Sequence, residues 1–189
     1  MSRGLGDVYK RQPIALLNEC LAGLRADIAN HNAPNQVVIS GEAGDVQTAT
    51  ERFQDHPVGM RAKVRFLSVS APFHSRLMQT IEPGFQAVLY DAATHWACDR
   101  STAVASNTTG GFHDGSTDGL VERLTSQISG TVRWVDNMTT LCNMNPSRIL
   151  EIGPGRPLRG FFRGMAEALG ATPIESITNL ASARRALET

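Results

Sequence analysis

The sequence has no charge excess, since Lys+Arg and Asp+Glu each total 18 in 189 residues. A balanced chain exerts no global pull on nucleic acid, although a local basic patch could still hold an anionic ligand. It has no apolar run of the length needed to cross a bilayer and no recognisable secretory signal. Cysteine is scarce: Cys20, Cys98 and Cys142 are widely spaced and odd in number. They fit neither a disulfide framework nor a zinc site, which points to a reducing cytoplasm and a buried structural role for each. Also missing are the Gly-x-Gly-x-x-Gly and P-loop lysine patterns of nucleotide sites, and the Gly-x-Ser-x-Gly elbow of α/β-hydrolase-like serine enzymes.

What is present suits one ordinary domain, or one domain carrying a subdomain, with 41% hydrophobic residues. Residues 1–12, "MSRGLGDVYKRQ", have mixed charge and no period, and read as a non-native leader or assembly scar. Pro13 suits the first turn of a helix marked by Ile14, Leu17, Leu21 and Leu24. "ADIANHN" and "QVVISG" read as two strands around Ala33-Pro34-Asn35. A helix over Asp45 to Phe53 follows, and then "MRAKVRFLSVS", where Ala62, Val64 and Phe66 alternate with basic residues as in a half-buried strand. Helix, strand, strand, helix, strand is a ferredoxin-like unit without its first strand, over residues 13–70.

From residue 71 to 189 the pattern changes. Leu77, Ile81, Phe85 and Val88 predict one long amphipathic helix, irregular at Pro83-Gly84, and "TAVASN" predicts a short strand ending in "TTGG". Two more helices are marked by Leu120, Leu124 and Ile128, and by Val135, Met138, Thr139 and Cys142. "RILEIGPG" reads as a buried strand running into a glycine loop, followed by a helix with Leu158, Phe161, Phe162, Met165 and Leu169 on its apolar face. Strands alternating with helices predict an α/β layer with parallel strands.

The residue with most chemical promise is His74 in "VSAPFHSRLM". Functional groups of open α/β folds collect where strands end and helices start, and an imidazole there can take a proton from a hydroxyl. Ser75 is a poor partner, because adjacent side chains at a helix start diverge; a cap or first-turn hydrogen bond suits it better. In "EIGPGRPLRG", Gly153 and Gly155 fit a structural strand-to-helix turn better than a phosphate loop. Trp134 reads as core and Arg133 as a solvated charge. Gln127 reads either as a surface amide or as a backbone carbonyl near an imidazole, and turn chemistry accounts for Asn30, Asn32 and Gln36.

"NHNAPNQVVISG", "VSAPFHSRLM", "SQISGTVRW" and "LEIGPGRPLRG", in that order, resemble the malonyl-CoA:acyl carrier protein transacylase family and the related acyltransferase domains of polyketide and polyunsaturated fatty acid synthases. The resemblance covers the chain from about Pro13 onward; "APFHS" and "EIGPG" are its more specific parts. It implies an α/β-hydrolase-like acyltransferase domain with an inserted ferredoxin-like subdomain. It also implies ping-pong transfer of malonyl from coenzyme A, through a serine ester, to the phosphopantetheine thiol of an acyl carrier protein. His74 falls on the family's catalytic histidine, and Gln127 on the position whose backbone carbonyl orients it. Asn32 falls near the acyl pocket. Phe73 stands where a phenylalanine goes with malonyl and a serine with methylmalonyl; one methyl is worth ~1–3 kcal/mol to such a pocket.

No permanently bound cofactor or metal, nucleic acid or membrane is implied; malonyl-CoA and the carrier protein are the partners, in the cytoplasm. The serine elbow, its oxyanion-hole amide and the arginine for the malonyl carboxylate would all precede Pro13. The resemblance therefore implies the C-terminal part of a transacylase, expected to be inactive alone and to expose sheet edges. Two other readings stand beside it: a non-catalytic module docking a carrier protein or synthase partner, and a serine hydrolase fragment. For the latter no Asp or Glu is well placed to orient the histidine.

Overall fold

The computed structural model describes residues 14–170 and 173–188. The proposed leader and Pro13 lie outside the described residues. Residues 14–21 form helix α1, which leads into an antiparallel hairpin of β1 (Ala26–Ala33) and β2 (Gln36–Gly41). The register slips between Ile28 and Asn30 and between His31 and Ala33, so β1 carries two bulges. Helix α2 (Ala43–Gln54) covers the hairpin, burying Leu21, Ala26 and Ala49 against Leu24, Ile28, Ile39 and Val46. A Cβ on Gly41 would sit 2.3 Å from the Arg25 carbonyl oxygen, so only glycine allows this closure of the hairpin.

The strand expected in "MRAKVRFLSVS" does not form. Gly59–Arg61 is a single 3₁₀ turn, and residues 62–69 run on without regular structure. Val64, Phe66, Leu67 and Val69 are exposed. Alternation makes a segment able to be a strand, but a ladder needs a neighbour, and none of the described residues pairs with this one.

The expected long helix is two pieces: a 3₁₀ segment, Arg76–Ile81, and helix α3, Glu82–Ala93, with Pro83 in its first turn. Proline is tolerated there because its missing N–H has no intrahelical partner. The buried face also differs from the expected one: Val88 is exposed, whereas Leu89 and Ala93 pack against Val121 and Leu124 of helix α4 (Thr117–Ser126). "TAVASN" is likewise no strand. It belongs to a 3₁₀ segment, Cys98–Ala103, and a tight turn closed by the lone bridge Ala105–Phe112.

Helix α5 (Trp134–Asn143) precedes β3 (Ile149–Ile152), helix α6 (Pro157–Leu169), β4 (Ile174–Ile177) and helix α7 (Leu180–Leu187). β3 and β4 pair in parallel. Met138, Cys142, Phe162, Met165 and Ile174 form the core of this part. β4 and α7 lie beyond what the sequence periodicity marked. β3 corrects the expectation of a buried strand: Leu150 and Ile152 face out, Ile152 at 76% exposure, while Glu151 is buried. Its carboxylate accepts from the Leu158 and Arg159 amides at 2.8 and 3.2 Å and from the Ser176 hydroxyl at 3.1 Å. An internal anion thus satisfies the first orphan amides of α6.

Cys20, Cys98 and Cys142 are buried and free. No described helix is long and apolar enough to cross a membrane.

Candidate functional site

Helix α4 ends in the loop that carries Gln127, Ile128 and Gly130. The last carbonyls of a helix lack intrahelical partners, and here the N–H groups of Gln127, Ile128 and Gly130 return to Arg123, Thr125 and Ser126. The carbonyls of the loop itself are met by His74. Its backbone N–H donates to the Ile128 carbonyl at 3.0 Å. Its ring nitrogen Nδ1 lies 2.9 Å from the Gln127 carbonyl oxygen and 3.2 Å from that of Gly130. A carbonyl can only accept, so Nδ1 carries the proton, and in the neutral ring Nε2 is left with its lone pair. No described residue hydrogen-bonds that nitrogen.

Reaching all three carbonyls requires an unusual backbone. His74 has φ 59°, the left-handed region that a side chain with a Cβ occupies at a cost. Such conformations persist only where surrounding contacts over-determine them. Those contacts are present on both sides. The Ser75 hydroxyl, wholly buried, donates to the Pro72 carbonyl at 2.6 Å and closes the turn around His74. Ser75 occupies the N-cap position of the Arg76–Ile81 segment but makes no side-chain cap there. Next, Arg76 grips Asp27 of β1: its Nε and Nη2 donate to Oδ1 at 2.9 and 2.5 Å, and its backbone N–H to Oδ2 at 2.9 Å. Burial pushes the Asp27 carboxyl up, but the Arg76 hydrogen bonds and charge outweigh it and hold the group below its ordinary value.

The opposite wall is fixed to the same strand. The Thr131 hydroxyl donates to the Ile28 carbonyl at 2.6 Å, Val132 N–H to Ala29 at 2.8 Å, and His31 N–H to Val132 at 2.9 Å. Both the histidine turn and the carbonyl loop therefore hang from β1.

The other expected site residues are less engaged. Phe73 is half exposed beside His74. Asn32 is half-buried in the second bulge of β1, and no hydrogen bond links its side chain or Phe73 to the imidazole. The Gln127 side-chain amide makes no hydrogen bond to a described residue; the residue meets His74 through its main chain. Three participants escaped the sequence: the Gly130 carbonyl, the Asp27–Arg76 pair and Glu82, which accepts from the Ser129 hydroxyl. Nothing in a linear sequence pairs groups 47 or 49 residues apart.

No protein-family model matches the chain. Curated and solved relatives do. The polyketide biosynthesis malonyl CoA-acyl carrier protein transacylase of Bacillus velezensis is 34% identical over 149 residues, covering 78% of this chain and 48% of that protein. The acyl-carrier-protein S-malonyltransferase of Burkholderia pseudomallei superposes with a TM-score of 0.74 at 25% identity, over 97% of this chain and 55% of that one. Curated and solved relatives thus agree in likening this chain to malonyl-CoA:acyl carrier protein transacylases. It spans about half the length of the transacylases it matches. A further solved relative, described as a type II polyketide synthase acyl-carrier protein in complex with its malonyl-transacylase, has a TM-score of 0.72 at 24% identity, over 92% of this chain and 53% of that one. At that identity the likeness concerns the transacylase fold, which is α/β.

Proposed function

We propose that this chain supplies the histidine side of a malonyl-CoA:acyl carrier protein S-malonyltransferase site. The observation that carries the proposal is the Nδ1 contact to the Gln127 carbonyl, which leaves Nε2 as the proton acceptor. In this reading Nε2 takes the proton of a serine hydroxyl as its oxygen attacks the thioester carbonyl of malonyl-CoA. When the tetrahedral intermediate collapses, Nε2–H returns that proton to the departing coenzyme A sulfur. The second half runs in reverse: the phosphopantetheine thiol of the carrier protein gives its proton to Nε2 and attacks the serine ester. The partial negative end of α4 has the right sign to accompany the charge His74 holds between these steps.

Gln127 acts through its main chain as the orienting group. Phe73 narrows the acyl site in favour of malonyl over methylmalonyl, and Asn32 borders the acyl pocket. Residues 13–70 form an incomplete ferredoxin-like subdomain and 71–189 part of the α/β-hydrolase-like domain. The helix, hairpin and helix over 14–54 support the first assignment. Names of the relatives support malonyl-CoA and an acyl carrier protein as partners. Three free, buried cysteines support a reducing, cytoplasmic setting.

The nucleophile has no elbow in these 189 residues. The chain alone is therefore expected to transfer no malonyl group. The test is a radiolabelled malonyl transfer assay on the chain and on a fusion to a transacylase segment bearing the serine elbow. The proposal expects transfer only by the fusion, lost by at least about 10²-fold on His74→Ala. Transfer by the fusion that is indifferent to His74 would overturn it.

A further inference from the structure

The loop that presents the Gln127 and Gly130 carbonyls selects the tautomer of His74, so whatever holds that loop holds the base. On one side it is stitched to β1 through Thr131 and Val132. On the other it is held by a contact that crosses to a different helix. Ser129, midway between the two carbonyls, donates its hydroxyl to Glu82, the first residue of α3. Both residues are half-buried. A hydrogen bond onto a carboxylate is roughly twice as strong as one between neutral groups. The loop's backbone N–H groups return to α4, Ile128 to Thr125 at 3.1 Å and Gly130 to Ser126 at 2.8 Å, while the carbonyls of 127, 128 and 130 are directed to His74.

We propose that Glu82 is a positioning residue: by anchoring Ser129 it fixes the two carbonyls that keep the His74 proton on Nδ1 and leave Nε2 as the base. Its catalytic meaning rests on the function proposed above, but the effect on the tautomer does not. Glu82 also sits in the first turn of α3, where a negative charge favours the helix. That purely structural role must be separated from the positioning one.

Substitutions separate them. Ser129→Ala removes only the donor, Glu82→Ala removes acceptor and charge, and Glu82→Gln keeps an amide oxygen for Ser129 while losing the charge. The readout is the protonation of His74 in the isolated 189-residue chain, from long-range ¹⁵N–¹H correlations of the neutral imidazole, with urea unfolding of each variant alongside. The proposal expects Nδ1–H to dominate in the parent and in Glu82→Gln. In Ser129→Ala and Glu82→Ala, Nε2–H should rise from a minor form to about half of the neutral ring or more. An unchanged tautomer in Ser129→Ala overturns it, as does a Glu82→Gln variant that behaves like Glu82→Ala. Ser129→Ala fills no space and leaves the helix charge in place, so it keeps the test alive should Glu82→Ala fail to fold. In the fusion, a variant indifferent to His74 but with the tautomer shift intact would sink the transferase reading and spare the positioning role.

Discussion

Arg76 closes its guanidinium on the Asp27 carboxylate, 49 residues away, and its own backbone N–H binds the same group. One acidic residue on β1 thus anchors the turn that holds His74. Asp27 sits below its ordinary carboxylate value, so the unfolded chain binds the proton more readily than the folded one. The pair's contribution is then complete above the unfolded value of roughly 3.9 and is lost as pH falls through the lower folded value. Arg76 is more than half exposed, so solvent screening keeps the pair's contribution small. Asp27→Asn should lower stability slightly at pH 7. In urea unfolding, the gap between parent and variant should begin to narrow once pH falls below roughly 3.9.

Histidine burial gives a second pH dependence at a different place in the scale. His31 Nε2 is buried without a described partner, and burial depresses the ring, with the Asp136 charge acting weakly the other way. His113, also buried, is depressed by burial and by Arg123, against Asp114. For both, the unfolded chain takes up protons first. Stability should therefore fall as pH drops below roughly 6.5 and level off once the folded rings titrate. His31→Phe removes one titrating group and one unpartnered nitrogen. It should lessen the drop in unfolding free energy between pH 7.5 and 5.5, both about one unit from the ordinary histidine value.

The two ends of this molecule differ in how much their sequences disclose. The hairpin was legible because alternation and the Pro34-Asn35 turn are local, and helices α2, α4 and α5 because their periods are. Residues 62–69 alternate just as well, yet remain unpaired, because strand formation depends on a neighbour that the segment itself does not encode. β3 misled in the opposite direction: its aliphatic residues predicted burial, but the need of α6 for an acceptor turned Glu151 inward. At the candidate site, resemblance pointed to His74 and Gln127, while the Asp27, Gly130 and Glu82 contacts depend on the tertiary fold.

Glu151 itself should be costly to remove. It is 8% exposed and accepts from two backbone amides in the first turn of α6. Glu151→Ala leaves those donors unpaired and is expected to cost about 1–3 kcal/mol by urea unfolding. Glu151→Gln keeps one acceptor oxygen and should cost less than Glu151→Ala. Equal losses would mean that charge on the helix terminus matters more than the hydrogen bonds.

The left-handed backbone at His74 allows strain to be measured apart from chemistry. His74→Ala and His74→Gly both delete the imidazole and its contacts to Gln127 and Gly130. Only glycine occupies φ 59° without a Cβ penalty. The glycine variant should be more stable than the alanine variant by roughly 1–2 kcal/mol, although its more flexible unfolded chain offsets part of that gain. Both should lack transfer activity in an elbow-bearing fusion.

The exposed apolar surface leads to a last expectation. Parallel sheets are normally covered on both faces, yet β3 and β4 form a two-stranded parallel sheet from which Leu150 and Ile152 project at 40% and 76% exposure. Phe66, Leu67 and Val69 are exposed in an irregular stretch that pairs with no described strand, and Leu180 and Leu187 stand at 83% and 88%. Such surface, together with open strand edges, favours association. Sedimentation velocity should show species larger than a monomer that grow with protein concentration. Ile152→Thr and Phe66→Ser keep the local backbone possible while removing apolar area, so the double variant should shift the distribution toward monomer. A parent chain that stays monomeric throughout, with a cooperative melt, would mean that these side chains are tolerated in water and that no partner surface is needed to hold the fold.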